Sequence, residues 1–482
     1  MRRRILFCTV ACFLLLAMLM PFAMLAVGSF VLLPQYDDTF LGALGDKYDR
    51  LYAIQQPKLV VIGGSSTAFG LDSALLEQHM KMPVVNFGLY ATLGTKIMLD
   101  LARDAIGEGD IIILAPETDS QTLSLYFNAE AMWQACDGAF QMLKHVDSAN
   151  RGDMVGALFA FASKKTGYWL NGKPNPSGVY RHDSFNRYGD IVYERPHNIM
   201  RLGYDPNMMM TFSTAMFSSD FIDYVNVYID EAKKKGATVY YSFPPINESA
   251  IANDVTEETI RAYYEYVSQN INCDVISNIH DYIIEENYFY DSNFHLNDSG
   301  VILRTANLIK DLKRVQGDTV RPDIAIPPAP QRIPVGGEMV DGDNRYADCF
   351  LYEAFEDGLM IVGVTEEAKL LKYLTIPSQY DGKPVLALGE AALAGCSALK
   401  EVTINANIIQ FYDAVFEGCT SLKKLHMCYE SAEGIGVGSK LFQGAPKEAK
   451  MYFSSKAGYE SFVSDYFWGP YSANEDRIKP AY

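Results

Sequence analysis

The sequence is short of positive charge, has no paired cysteines and has only one long uncharged apolar run. Its 41 Lys+Arg stand against 59 Asp+Glu, a net charge of −18. This argues against nucleic acid as a partner, because phosphate binding needs a positive field. None of the eight cysteines sits in a CxxC pair. Cys8 and Cys12 lie in the apolar run, and Cys136, Cys273, Cys349, Cys396, Cys419 and Cys428 are scattered. That density is far below a disulfide scaffold, and the seven histidines add no zinc or haem spacing. No metal and no cofactor are expected. Disorder and collagen-like architectures are excluded by a composition that is 49% hydrophobic and 12% aromatic. A length of 482 residues suits two or three domains with a large buried core.

The apolar run is Ile5 to Leu33, 29 positions without charge directly after Arg2, Arg3 and Arg4. About 20 apolar residues cross the hydrocarbon layer of a bilayer, so residues 1–34 are expected to be a transmembrane anchor. The arginines would stay in the cytoplasm and the rest of the chain outside, a single-pass protein of the cell membrane. A cleaved signal peptide is the competing reading, with Ala26-Val27-Gly28 as a cleavage site. The apolar stretch continues past that site through Phe30 to Leu33, which favours the uncleaved anchor.

Beyond the anchor, short buried strands alternate with helices. Strands are expected at Leu59–Ile62, Val84–Asn86, Asp110–Ala115 and Thr238–Ser242. Helices are expected over 72–81, 94–106, 219–235, 256–270 and 297–313. This rhythm predicts an α/β fold with a doubly wound parallel sheet covered on both faces, over residues 35–316. The stretch from about 120 to 215 breaks the rhythm and reads as an insertion over one sheet end. Residues 317–340, rich in proline, read as a stiff linker. In the last segment, 341–482, LAGCSALKEVTI (393–404) recurs as FEGCTSLKKLHM (416–427) at a period of 23, within the range of leucine-rich repeats. With LTIPSQYDGKPVLALG (374–389) as a first coil, residues 345–455 resemble the BspA-type leucine-rich repeats of bacterial surface proteins. Cys396 and Cys419 then stack inward as small apolar side chains.

Two segments carry candidate chemistry. Ile62-Gly63-Gly64-Ser65-Ser66-Thr67 falls where the first strand turns toward the first helix, on the sheet edge where doubly wound folds bind ligands. A serine there is placed as a nucleophile, although such a turn is also a common flexible loop. Tyr290-Asp291-Ser292-Asn293-Phe294-His295-Leu296-Asn297 precedes the last helix. His295 suits a general base, and Asp291 on the same loop suits the group that orients it. Read alone, this loop is a helix cap with Asn297 or Asp298 as the capping residue. Ser65, Gly88, the Glu117–Asp119 stretch, Asn247 and Asp291–His295 each follow an expected strand, so all are expected on one sheet edge. Tyr290, His182 and His197 are candidates for the pocket wall, with surface or structural roles the simpler reading for the two histidines. Ser66 is a rival nucleophile.

These segments resemble the SGNH/GDSL hydrolase superfamily, in its membrane-anchored branch similar to teichoic-acid D-alanyl-transfer proteins and exopolysaccharide O-acetyltransferases. IGGSSTAFGLDS (62–73) is similar to the nucleophile block, NFGLYATLG (86–94) to the block whose glycine offers an oxyanion N–H, and YDSNFHLNDSG (290–300) to the acid–base block. The resemblance implies Ser65, Asp291 and His295 as catalytic residues, with the Ser65 and Gly88 amides holding the oxyanion. The chain departs from the family at the GxND block, where Ala115-Pro116-Glu117-Thr118-Asp119 stands, so either Thr118 or another donor substitutes, or activity is weak or specialised. It departs again in placing three residues rather than two between Asp291 and His295.

The resemblance implies a serine esterase or O-acyltransferase working on acylated cell-envelope polysaccharide or wall polymer through an acyl-serine. Hydrolysis and transfer share that covalent step and both stay open. From a different class, the chain is a cell-surface binding or adhesion protein acting on protein or glycan through its repeats.

Overall fold

The computed structural model describes residues 19–173, 178–200, 202–318, 320, 322–331 and 344–481. Most of the expected anchor lies outside them. Residues 19–26 are helical and run on into a π-helical turn, Val27–Val31. No described helix is long and apolar enough to cross a membrane.

The first domain is built on five parallel strands: β1 (Leu59–Gly63), β2 (Val84–Gly88), β3 (Ile111–Ala115), β4 (Thr238–Tyr241) and, after a short β5 (Ile246–Asn247), β6 (Asp274–Val275). Their spatial order is β2-β1-β3-β4-β6. Four of these strands match the expected ones, whereas β6 is two residues long and carries too little pattern to be read from sequence. Alternation along the strands sorts their side chains to two faces. Val60, Ile62, Val85, Phe87, Ile112 and Leu114 pack under helices Ala43–Ala53, Thr95–Arg103, Ser219–Lys234 and Glu257–Asn270. Leu59, Val61, Val84, Ile113 and Ala115 pack under Ser73–Met80 and Asp298–Val315. Both faces are therefore dry, which is why β1 and β2 are buried at every position and read as continuous apolar runs.

Helix ends follow local chemistry. Asp72, Ser218, Thr256 and Asn297 each accept a backbone N–H in the first turn of the helix they precede. Helix Ser219–Lys234 closes on Lys233 and Lys234 with Gly236 at φ +88°. The insertion is largely irregular, with helices Ala129–Ala135 and Arg151–Asn171, yet Met132, Trp133 and Phe161 join the main core.

Part of the proline-rich stretch lies along the first domain. Ile324 packs on the second core, and Pro327 O accepts from the Tyr288 hydroxyl at 3.1 Å. The repeat domain is a parallel stack. Glu401–Ile404, Lys424–Met427 and Lys450–Phe453 pair in register, with Tyr373–Thr375 and Ile478–Pro480 at the two ends. Leu399, Val402, Leu422 and Leu425 form its buried ladder, with Cys396 and Cys419 free and buried between them. Helix Lys456–Ser464 and the buried Trp468, whose indole N–H donates to Ile435 O at 2.9 Å, close its end.

Candidate functional site

Register places Gly63 of β1 beside both Gly88 of β2 and Ala115 of β3. The chain leaves β1 between neighbours that run off in opposite directions, the reversal point where open α/β sheets form a crevice at the carboxyl ends of their strands. Ser65 opens a short helical turn, Ser65–Ala68, at that crevice and is half-buried.

His295 Nε2 lies 2.8 Å from Ser65 Oγ, and His295 Nδ1 lies 2.7 Å from Asp291 Oδ1. The structure thus brings together three residues spread over more than 200 positions, with the His295 and Asp291 side chains nearly buried. The carboxylate can only accept, so Nδ1 carries the proton and Nε2 is left to receive one from the serine. The three-residue spacer between Asp291 and His295 is accommodated by a turn in which Ser292 Oγ accepts from the N–H groups of Phe294 and His295, at 3.3 and 3.2 Å. Asn293 fastens the loop by donating to Asp205 O and Met208 O, and Asn297 caps the helix that follows at Gly300.

Supporting groups come from elsewhere in the chain. Phe69, one turn past Ser65, stacks on the imidazole at 3.9 Å with the rings 5° from parallel. The Tyr180 hydroxyl donates to the second oxygen of Asp291 at 2.7 Å. Burial and that carboxylate hold the phenol well above its ordinary range. Glu117 accepts from the Ser66 N–H at 2.8 Å. Burial pushes its carboxyl up, against the opposing pull of Ser66. The Arg304 guanidinium donates to Ser66 O, so the residue after the serine is held from both sides, once from the end of β3 and once from the last helix. A Cβ on Gly64 would sit 2.2 Å from Glu117 Oε2 and would displace the carboxylate that holds Ser66.

Other expected residues are placed differently. Ser66 Oγ is fully buried, which leaves Ser65 as the serine that faces the histidine. Gly88 reaches the crevice, where a Cβ would lie 2.7 Å from Gly64 O, but its N–H donates to Asn86 Oδ1 at 3.1 Å instead of pointing to an oxyanion position. The Thr118 hydroxyl is buried and so is not presented as a donor at the crevice. β3 ends at Ala115, and after Pro116 it is Glu117 that reaches the nucleophile turn, through the Ser66 N–H. Among the described residues, neither the Ser65 N–H nor the Thr118 hydroxyl has a hydrogen-bond partner, but the hydroxyl is buried whereas Ser65 stands at the crevice. Asp119 binds within its own turn, to the N–H groups of Gln121 and Thr122. Asn247 donates to Gly203 O, away from Ser65. His182 pairs with Asp46 on the surface, His197 is half-buried outside the hydrogen-bonded chain, and Tyr290 lines a neighbouring cleft.

That cleft, about 370 Å³, lies between the two domains, with Asp291 and Tyr180 on one wall and Gln410, Glu433 and Tyr466 on the other. Tyr180, Phe69, Arg304 and Tyr466 were not legible as site residues. Tyr180, Arg304 and Tyr466 lie outside the motifs, Phe69 lies within 62–73 but carries no chemistry of its own, and only the approach of distant segments gives each its partner.

No family model matches the chain, and no curated protein does. Among solved structures, it is similar to a leucine-rich repeat protein of T. pallidum, 18% identical with a TM-score of 0.16, over 23% of this chain and 70% of that one. A leucine-rich repeat protein of Bacteroides ovatus is 19% identical with a TM-score of 0.15, over 22% of this chain and 36% of that one. One of Bacteroides capillosus is 15% identical with a TM-score of 0.17, over 22% of this chain and 96% of that one. These likenesses concern leucine-rich repeats only, and none of the three is an SGNH hydrolase.

Proposed function

We propose that the protein is a serine esterase or O-acyltransferase of the SGNH type, held at the cell membrane by its N-terminal apolar segment and acting on acylated glycan or wall polymer outside the cytoplasm. The observation that carries the reading is the continuous Ser65–His295–Asp291 hydrogen-bonded chain at the carboxyl edge of the sheet. In this reading Ser65 Oγ attacks the ester carbonyl as His295 Nε2 takes its proton. Asp291, steadied by Tyr180, keeps the imidazole in the accepting tautomer and stabilises its charged form. The Ser65 N–H is the donor available to the oxyanion. Collapse of the tetrahedral intermediate returns the proton to the leaving alcohol, and water or a glycan hydroxyl then resolves the acyl-serine.

The test is covalent labelling with a fluorophosphonate, together with release of p-nitrophenol from p-nitrophenyl acetate. Wild type should label at Ser65 and turn over the ester. Ser65→Ala should lose both, with kcat down about 10⁴-fold or more. An unlabelled wild-type protein with no esterase activity rejects the proposal.

A second reading is favoured by a specific observation: of the three expected oxyanion donors, Gly88 is engaged by Asn86 and the Thr118 hydroxyl is buried. In it the chain is a surface binding protein whose repeats make the contact. Failure of labelling together with retained binding to envelope glycan selects it.

A further inference from the structure

From the cleft between the domains we infer that the repeat domain supplies half of a glycan-binding site, and that the polymer recognised is an uncharged polysaccharide. This deepens the esterase reading by naming the substrate class at the same site. The Tyr466 ring stacks on Tyr180 at 3.7 Å with the planes 10° apart, and Tyr180 is hydrogen-bonded to Asp291. Tyr466 also meets Tyr90, two residues past Gly88, edge-on at 5.8 Å. One repeat-domain ring therefore bridges the loops that follow β2 and the insertion, a single ring away from the Asp291–His295 pair. The cleft beside it is walled by Tyr193, Tyr204 and Tyr290 from the first domain and by Gln410, Ser431 and Ser461 from the second.

The chemistry of these walls narrows the ligand. Aromatic faces interleaved with hydroxyl and amide groups suit sugar rings, which present apolar faces and a rim of hydroxyls. No lysine, arginine or histidine is among the described residues of the cleft, whereas Asp205, Asp291, Glu433 and Asp465 are. A phosphodiester or uronate chain would find no cation there and would face the exposed Glu433, which disfavours it. A cationic ligand is disfavoured for another reason. Asp205 accepts from Asn207, Asp291 from His295 and Tyr180, and Asp465 from the N–H groups of Phe467 and Trp468. Only Glu433 among the four carboxyl groups is exposed.

Calorimetric binding to the full-length Ser65→Ala protein separates this site from the chemistry, since no turnover is needed. Probes are acetylated xylo-oligosaccharides (neutral), oligogalacturonate (anionic) and spermidine (cationic). The neutral oligosaccharide should bind. Tyr466→Ala should weaken it at least about tenfold, the loss of one stacking platform. Tyr466→Phe, which keeps the ring, should not. Ser431→Trp, which fills the cleft from an exposed position, should also block binding. The inference is overturned if the neutral probe does not bind, if oligogalacturonate or spermidine binds as well or better, or if binding survives both Tyr466→Ala and Ser431→Trp. Failure of the esterase reading shows separately, as an unlabelled wild type.

A second surface stands on other observations and is independent of the catalytic reading. Helix Arg151–Asn171 carries Gly152, Val155, Gly156, Phe159, Ser163 and Leu170 along one exposed, uncharged stripe, the positions one helical face repeats. Val155, Phe159 and Leu170 are 65–74% exposed, and nothing lies within 4 Å of a Cβ built on Gly152 or Gly156. Beside the stripe runs the described end of the N-terminal apolar segment. Ser29 O accepts from Lys165 Nζ at 3.1 Å, and a Cβ on Gly28 would lie 2.8 Å from Thr166 Oγ1. Leu19, Met20, Phe22 and Met24 on that segment are 53–70% exposed. The continuity of the two apolar surfaces points to a lipid bilayer as the occupant, with the helix lying in the interface.

Tryptophan quenching tests this in the full chain reconstituted into phosphatidylcholine–phosphatidylglycerol vesicles. Trp133 and Trp468 are buried and Trp169 is exposed near the helix end, so brominated acyl chains should quench Trp169 specifically. Trp169→Phe should abolish the quenching, and Val155→Glu with Phe159→Glu should reduce it at least about twofold. Absence of lipid quenching, quenching unchanged by the double substitution, or disulfide-linked dimers through Phe159→Cys would each overturn the proposal, the last naming a second copy as the occupant.

Discussion

At the residue scale the site depends on a few polar contacts of unequal weight. Asp291 fixes the imidazole tautomer, so Asp291→Asn, which leaves an amide that can present N–H to Nδ1, is expected to lower kcat by about 10⁴-fold with little change in thermal stability. Tyr180→Phe removes one hydrogen bond to a charged acceptor at a half-buried position. A loss of about tenfold in kcat, with KM for a small ester unchanged, is expected from steady-state kinetics. Glu117 and Arg304 act on the serine through Ser66 and are positioning groups. Three features of this arrangement were legible from sequence: the serine in a glycine-rich strand-to-helix turn, the histidine, and an acid beside it. Their partners were not legible. A tyrosine in an irregular insertion has no periodic or spacing signal that ties it to position 291, and the diversion of Gly88 to Asn86 depends on a side-chain rotation that motif register does not describe.

At the scale of elements, caps and turns set the geometry. Asn297 is the N-cap of the last helix and also donates to Asn287 O and Phe289 O, closing the loop that carries Asp291 and His295. Asn297→Ala removes the cap and strands two carbonyls, so a loss of about 2–4 kcal/mol in denaturant unfolding is expected, with esterase activity falling in parallel. Asp465 shapes the turn that precedes Trp468, and burial raises its carboxyl to about 6 from an ordinary 3.8. The folded state then holds the proton more tightly than the unfolded chain. Its contribution is complete below about pH 4 and is lost as pH rises through 6. Thermal melts of Asp465→Asn and wild type should accordingly diverge between pH 4 and 7, the variant lacking that part of the slope. The strong helices were readable from apolar period and caps. The two-residue β6 was not, because so short a strand is defined by its pairing with β4.

At the scale of the whole molecule, two separate sets of cores divide the chain. The cores flanking the first sheet and the core of the repeat domain share no residue. Leu422→Ala opens a void in the repeat ladder and is expected to cost about 2–5 kcal/mol there. Calorimetry should show a transition of the repeat domain moved down while that of the sheet domain stays in place. A single transition shifted as a whole would mean that the contact through Tyr180 and Tyr466 couples the domains into one folding unit.

The sequence by itself determined the alternation of buried strands and helices, the 23-residue period of the repeats and the serine and histidine segments. Each of these is a local pattern of residue types along a few turns or strands. Only the tertiary structure decided which serine faces the imidazole, which backbone N–H groups are spent on neighbours, and that a repeat-domain tyrosine stands beside the site. Those outcomes depend on distances between segments far apart in the chain, and such distances are fixed by sheet register and domain packing, to which no local pattern refers.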